Sequence, residues 1–170
     1  GLEVLNEEAL QLAQDVLKQQ GLDPEIRDYE EPGHGEGYCF QDPDGNRLEI
    51  YQGMQKFDRP LQPREVRPTG FGHITLMTAD LTRCEDFYTN VLGFRISDRV
   101  DNSAIWMRCN QQHHSVAFLN TGAAKVNHFA YDLAGWNDMK KICDHLWKND
   151  VPIIYGPSRH GPGHNIFIYI

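Results

Sequence analysis

Apolar residues recur at helical spacing between Asn6 and Gln20, where Leu10, Ala13, Val16 and Leu17 fall on one face. Asn6 suits the N-cap, Glu7 and Glu8 suit the positive end of the helix dipole, and Gly21 stands where the helix should stop. The pattern then shifts to short apolar runs, predicting strands at Glu25–Tyr29, Gly37–Gln41 and Arg47–Gln52. Asp42-Pro43-Asp44-Gly45 makes a turn between the last two, since Pro sets φ and Gly accepts a positive one. Residues 54–68, with Pro60, Pro63 and Pro68 in a polar stretch, read as a linker. Beyond it the pattern predicts a strand at Gly72–Thr78, a helix at Leu81–Leu92 stopped by Gly93, and strands at Phe94–Val100, Ala104–Cys109 and Ser115–Asn120. After a break at Gly122–Lys125 the cycle restarts with strand Val126–Leu133, helix Trp136–Asn149, and strands Val151–Tyr155 and Asn165–Ile170. One helix followed by several strands, repeated, is neither a helix bundle nor a doubly wound sheet. It predicts an α+β fold of paired βαβββ units curving into an open, barrel-like cup.

Internal repetition sharpens that reading. At an offset of 130, Lys18 falls on Lys148, Ile26 on Gly156, His34 on His164 and Phe40 on Ile170, in the same order of elements. At an offset of 55, His73 falls on His128, each early in a strand that leads into a helix. A histidine inside an apolar strand is most often a packing residue. Two at equivalent points of repeated units suggest a shared cleft instead, and neutral imidazole is a common ligand for zinc, iron, nickel and copper. Two imidazoles make a poor site alone; a carboxylate would complete a facial triad.

Charge and cysteine content narrow the classes of function. Sixteen Lys and Arg stand against 24 Asp and Glu, a net charge of −8, which disfavours a nucleic-acid backbone or an anionic membrane surface as partner. No apolar run reaches the ~18–20 residues of a transmembrane helix. Cys39, Cys84, Cys109 and Cys143 form no CxxC pair, so a zinc ribbon or a disulfide framework is not expected, and a reducing, cytoplasmic setting is. The acidic run between Asp23 and Glu36 reads as a solvated loop, and Gly161-Pro162-Gly163 as a tight turn rather than a phosphate cradle.

Four segments concentrate polar groups among apolar ones: Gly72-His73-Ile74-Thr75-Leu76, His113-His114-Ser115-Val116-Ala117, Val126-Asn127-His128-Phe129-Ala130, and the run from His160 to Tyr169. With these residues the chain resembles the vicinal-oxygen-chelate superfamily, and within it the type I extradiol dioxygenases, closest in pattern to those acting on homoprotocatechuate. The first and third segments look like the strands bearing two iron ligands, His73 and His128. His160 followed at a distance by Ile168-Tyr169 resembles the extradiol signature, which continues to an Asp-Pro-x-Gly turn and a glutamate. Asp42-Pro43-Asp44-Gly45 and Glu49 carry that continuation in the first repeat, so the third metal ligand, a glutamate, is expected at position 179, beyond Ile170. The chain is thus expected to be incomplete at both ends.

The resemblance implies a 2-His-1-carboxylate face holding Fe(II), with Mn(II) as the other candidate, and open positions for a catechol and O2. His114 would act as acid–base near the oxygen, a task that calls for a pKa near neutrality. His160 and Tyr169 would hydrogen-bond the substrate, and Trp106 would line its pocket. Tyr155 stands where those enzymes carry an arginine for a substrate carboxylate, which implies a substrate without one. Residues 1–53 are expected to be the remainder of a metal-free N-terminal module, in which Glu30 and Cys39 take the places of His160 and Tyr169 and Glu49 faces solvent or serves in a salt bridge. Residues 69–170 are expected to be the catalytic module. The partners expected are a small aromatic diol, O2 and further copies of the chain, with neither nucleic acid nor membrane. Two other readings stay open: a glyoxalase- or epimerase-like enzyme whose metal stabilises an enediolate, and a metal-free, bleomycin-resistance-type binding protein for a small aromatic ligand, in which His73 and His128 would only pack.

Overall fold

The computed structural model describes residues 1–27, 33, 35–56 and 65–170. The end of the expected strand Glu25–Tyr29, Glu30 and the linker prolines Pro60 and Pro63 lie outside the described residues. Contacts divide the chain into two units, Gly1–Pro60 with Thr82–Gly93, and Leu61–Leu81 with Phe94–Ile170. The division cuts across the module expected over residues 69–170: its first helix groups with the N-terminal unit.

In the first unit, helix α1 (Glu7–Gln19) starts where expected, with the Asn6 side chain accepting a hydrogen bond from the Ala9 amide at 2.9 Å. Its buried residues Leu10 and Leu17 meet Phe40 and Ile50 of a four-stranded sheet. That sheet runs β1 (Leu2–Glu3), β4 (Arg47–Tyr51), β3 (Gly37–Gln41), β2 (Glu25–Ile26), with β1 parallel to β4 and the other pairs antiparallel. Helix α2 (Leu81–Asp86) continues as a π-helical turn at Phe87–Val91, which brings Phe87, Val91 and Leu92 against the same core. The turn after β3 is tied down by Asp42, a buried carboxylate. Asp42 accepts from the amides of Asp44 and Asn46 at 3.0 and 2.8 Å and from the Tyr88 hydroxyl at 3.1 Å. Burial, then the neighbouring Asp42, raises the pKa of Tyr88, so its hydroxyl stays a donor.

The second unit contains a five-stranded sheet in the order β6 (Arg95–Val100), β7 (Ala104–Arg108), β8 (Val116–Asn120), β5 (Gly70–Thr78), β9 (Lys125–Asp132). β5 pairs parallel with β8 and antiparallel with β9; the remaining pairs are antiparallel. The inner strands β7 and β8 bury Ile105, Met107, Val116, Ala117 and Phe118, apolar on both faces as central strands are. Helix α3 (Trp136–Lys148) follows β9 and buries Met139 and Leu146.

The strand expected at Val151–Tyr155 is displaced. The Val151 amide closes the end of α3 by donating to the Leu146 carbonyl, after Asp150 has taken a positive φ of 55°, and Pro152 offers no N–H to a ladder. The strand β10 forms instead at Tyr155–Arg159 and pairs antiparallel with β11 (Ile166–Tyr169) across a 3₁₀ turn at Pro162–His164. The mixed α+β architecture with open sheets is that expected from the repeated strand–helix–strands order.

Candidate metal centre

The site lies where β5 and β9 run side by side. Antiparallel pairing sets Thr75 opposite His128 and His73 opposite Ala130, with an irregularity on either side of that stretch. Side chains alternate along a strand, so His73 and Thr75 share the face that carries His128. Their tips converge: the Nε2 atoms of His73 and His128 are 3.4 Å apart, and Thr75 Oγ1 is 3.1 Å from His128 Nε2. His128 Nδ1 lies 2.6 Å from Asn127 Oδ1. Because an amide oxygen only accepts, the ring donates there and keeps its lone pair on Nε2. A neighbour holding the far nitrogen in this way is the arrangement metal-ligating histidines use.

Two further histidines and a tyrosine complete the surroundings. The ring of His114, just before β8, lies 4.2 Å from that of His73, centroid to centroid. Tyr169, near the end of β11, sets its ring 5.2 Å from His128 and its hydroxyl 3.3 Å from His160 Nε2. His160 in turn stacks on Phe167, 3.7 Å between centroids and 13° between planes. Trp106 belongs to the same face by register. Asp98 pairs with Trp106, Trp106 with Ala117, Ala117 with Thr75, and Thr75 with His128, forming one row across five strands. The structure therefore gathers His73, His128, His114, His160 and Tyr169, and sets Trp106 on their face farther along the sheet.

Electrostatics keep the imidazoles neutral. Burial, then the neighbouring His128, lowers the pKa of His73 to about 4. Burial, then His73 and other nearby imidazoles, lowers His114 to about 3. The near-neutral value expected for His114 is not found, because the ring is half-buried among other rings that repel its charged form. An anionic oxygen brought against it would push the value back up. Burial also lowers His128 and His160 and raises Tyr169, which preserves the phenol proton.

Neutral imidazoles are the form that binds a metal. Taking the ~2.0–2.1 Å of a zinc–imidazole bond as a guide, two nitrogens 3.4 Å apart can bind one ion. His73 and His128 thus fit two positions of such a site. Among the described residues no three His, Cys, Asp or Glu side chains are grouped so as to hold an ion. Glu49 is engaged elsewhere, in an ion pair with Arg27 at 2.7 Å, one of the two roles expected of it in the first repeat.

Sequence reading missed Thr75, Asn127, Phe167 and Asp98. Thr75 and Phe167 carried a signal, since each stands two residues from a recognised site residue in a strand and must share its face. Asn127 carried none beyond adjacency to His128.

An open α+β sheet of repeated strand–helix–strands units thus carries two imidazoles paired on adjacent strands. Residues 70–169 match the family model described as the Glyoxalase/Bleomycin resistance protein/Dioxygenase superfamily, and the chain belongs to that superfamily. It is 30% identical over 188 residues to a 3-methylcatechol 2,3-dioxygenase of Pseudomonas putida strain F1, covering 99% of this chain and 64% of that protein. It is also 30% identical, over 145 residues, to an iron-dependent extradiol dioxygenase of Rhodococcus jostii strain RHA1, covering 71% of this chain and 47% of that protein. Among solved structures, the Mn(II)-bound glyoxalase from Novosphingobium aromaticivorans superposes with a TM-score of 0.86 at 29% identity, over 98% of this chain and 56% of that one. The chain thus spans about half to two-thirds of the length of these proteins. No helix among the described residues is long and apolar enough to cross a membrane.

Proposed function

We propose that the chain belongs to an extradiol dioxygenase that cleaves a catechol ring with O2, residues 69–170 forming its catalytic module and residues 1–53 the remainder of a metal-free one. The observation that carries this reading is the convergence of His73 and His128 Nε2, 3.4 Å apart, within a ring of three more donors, His114, His160 and Tyr169. His73 and His128 would hold Fe(II) or Mn(II) together with a third, carboxylate ligand from outside residues 1–170. The similar proteins, one named iron-dependent and one Mn(II)-bound, support either ion. Such an ion would supply Lewis acidity toward a diol and redox capacity toward O2.

The chain's own residues do the rest. His114, neutral, accepts a proton from a diol hydroxyl at a ring nitrogen and returns one as the ring opens. Tyr169 keeps its proton and donates a hydrogen bond to a substrate oxygen, with His160 holding the phenol at 3.3 Å. Phe167 fixes the plane of His160 by stacking. Tyr155 pairs with Tyr169 across the hairpin and offers no positive charge, which supports a substrate without a carboxylate. The name of the 3-methylcatechol relative agrees with such a diol. A glyoxalase-type reaction would use the same two histidines but would leave His114, His160 and Tyr169 without a task.

The test is anaerobic loading of the natural protein with Fe(II), addition of a catechol, and admission of ¹⁸O-labelled O2. A ring-opened product carrying two labelled atoms is expected; no oxygen uptake would sink the reading. His114→Asn should slow turnover by about 10²–10⁴-fold, the usual contribution of general acid–base catalysis, with iron content unchanged. Loss of iron in that variant would make His114 structural.

A further inference from the structure

We infer that His113, held between Asp98 and the Gly163 turn, is a positioning residue that fixes which nitrogen of His114 carries the proton. Its catalytic meaning rests on the function proposed above; its geometry does not. A strand through this segment would send His113 and His114 to opposite sides. Residues 109–115 are not strand, however, and the two rings meet edge to face with their Nδ1 atoms 3.0 Å apart. At that distance one nitrogen donates and the other accepts.

Asp98 decides between the two. Its Oδ2 lies 3.9 Å from His113 Nε2, on the far edge of the ring. That is too long for a direct hydrogen bond, but a carboxylate there favours the His113 tautomer with its proton on Nε2. Nδ1 of His113 then has the lone pair, and His114 must donate from its own Nδ1. The neutral His114 ring is left with a bare Nε2, the state that can accept a proton from a substrate hydroxyl. The logic is that of any base oriented through its second nitrogen.

Gly163 keeps His113 in place. A Cβ built there would stand 2.9 Å from His113 Nδ1 and 3.2 Å from its Cγ, and the residue has a φ of +70°. The turn therefore closes against the imidazole as only glycine allows. His113 is confined by a carboxylate, an imidazole and a backbone wall, although the adjacent strand β8 begins only at Val116.

The experiment uses ¹⁵N-histidine-labelled, metal-free protein at neutral pH, in which long-range ¹H–¹⁵N correlations report the tautomer of each ring. In the wild type His114 should carry its proton on Nδ1. His113→Phe, which removes the acceptor, should move it largely to Nε2, and His113→Gln, whose amide oxygen can accept, should restore Nδ1. Asp98→Asn should produce a partial shift in the same direction as His113→Phe. The inference is overturned if wild-type His114 is protonated on Nε2, or if His113→Phe leaves its tautomer unchanged. With iron and catechol present, His113→Phe should lower kcat at least about tenfold at constant KM, since a wrong tautomer in a comparable pair costs far more; His113→Gln should recover it. If the wild type cleaves no catechol, the functional reading falls while the tautomer result still decides the role of His113.

Discussion

The hairpins β2–β3 and β10–β11 are the same construction used twice. Glu25 pairs with Cys39 in the first and Tyr155 with Tyr169 in the second, so the repeat offset of 130 residues survives as an identical strand register. The helices preceding them, α1 and α3, each have 13 residues and each lead into their hairpin through a residue of positive φ, Gly21 and Asp150. The side chains then part company. In the first hairpin Cys39 is buried and receives a hydrogen bond from Arg47 at 3.4 Å, while Glu49 on the neighbouring strand is neutralised by Arg27. In the second, Tyr169 sits half-buried between His128 and His160. Backbone register specifies a scaffold and is silent about chemistry; the chemistry depends on what stands at one or two matched positions.

That contrast can be broken at several points. The largest effect is expected at the paired imidazoles: His73→Ala or His128→Ala should abolish retention of iron or manganese, read by metal analysis after gel filtration. Full occupancy in either variant would remove that residue from the site. Next comes Asn127→Ala, which frees the far nitrogen of His128. Partners of this kind typically contribute 10–100-fold to metal affinity, and competition with a chelator would measure the loss. An unchanged affinity would mean that the 2.6 Å contact does not set the tautomer of His128. The smallest effect belongs to the first unit. Tyr88→Phe removes the buried hydrogen bond to Asp42 and should cost about 1.5–3 kcal/mol of stability, the range for bonds to charged groups, with metal affinity untouched. Denaturant unfolding and metal titration of the same sample would reveal any effect on the metal.

Much of this was legible in the chain. The helical face of Leu10 and Leu17, the Asn6 cap and the Asp42–Gly45 turn depend on local pattern and side-chain geometry, and they form where that pattern puts them. His73 and His128 stood out because repetition placed them at matched points of two strands. β1 was missed because two residues, Leu2–Glu3, are too short to show a period. The strand expected at Val151 moved because the end of a helix claims the backbone first. The π-helical turn at Phe87–Val91 was read as ordinary helix, since its apolar spacing differs from α by one residue in a short segment. The place of His113 was not legible because alternation describes strands, and this histidine is in a bend.

The row Asp98, Trp106, Ala117, Thr75, His128 crosses the sheet at right angles to the chain. Strands lie about 4.7–4.9 Å apart, so Trp106 stands three spacings, about 14 Å measured along the sheet, from His128. A diol held at the paired imidazoles would reach toward Trp106 with its far edge, where ring substituents project. Ala117 and Thr75, which stand between them in the row, are nearly fully buried and offer a ligand no surface of their own. On the function proposed above, reactivity and substrate size would fall at opposite ends of one pleat. An enlarged residue at position 117 would overpack the buried middle of this row, at a cost of about 1–3 kcal/mol of stability.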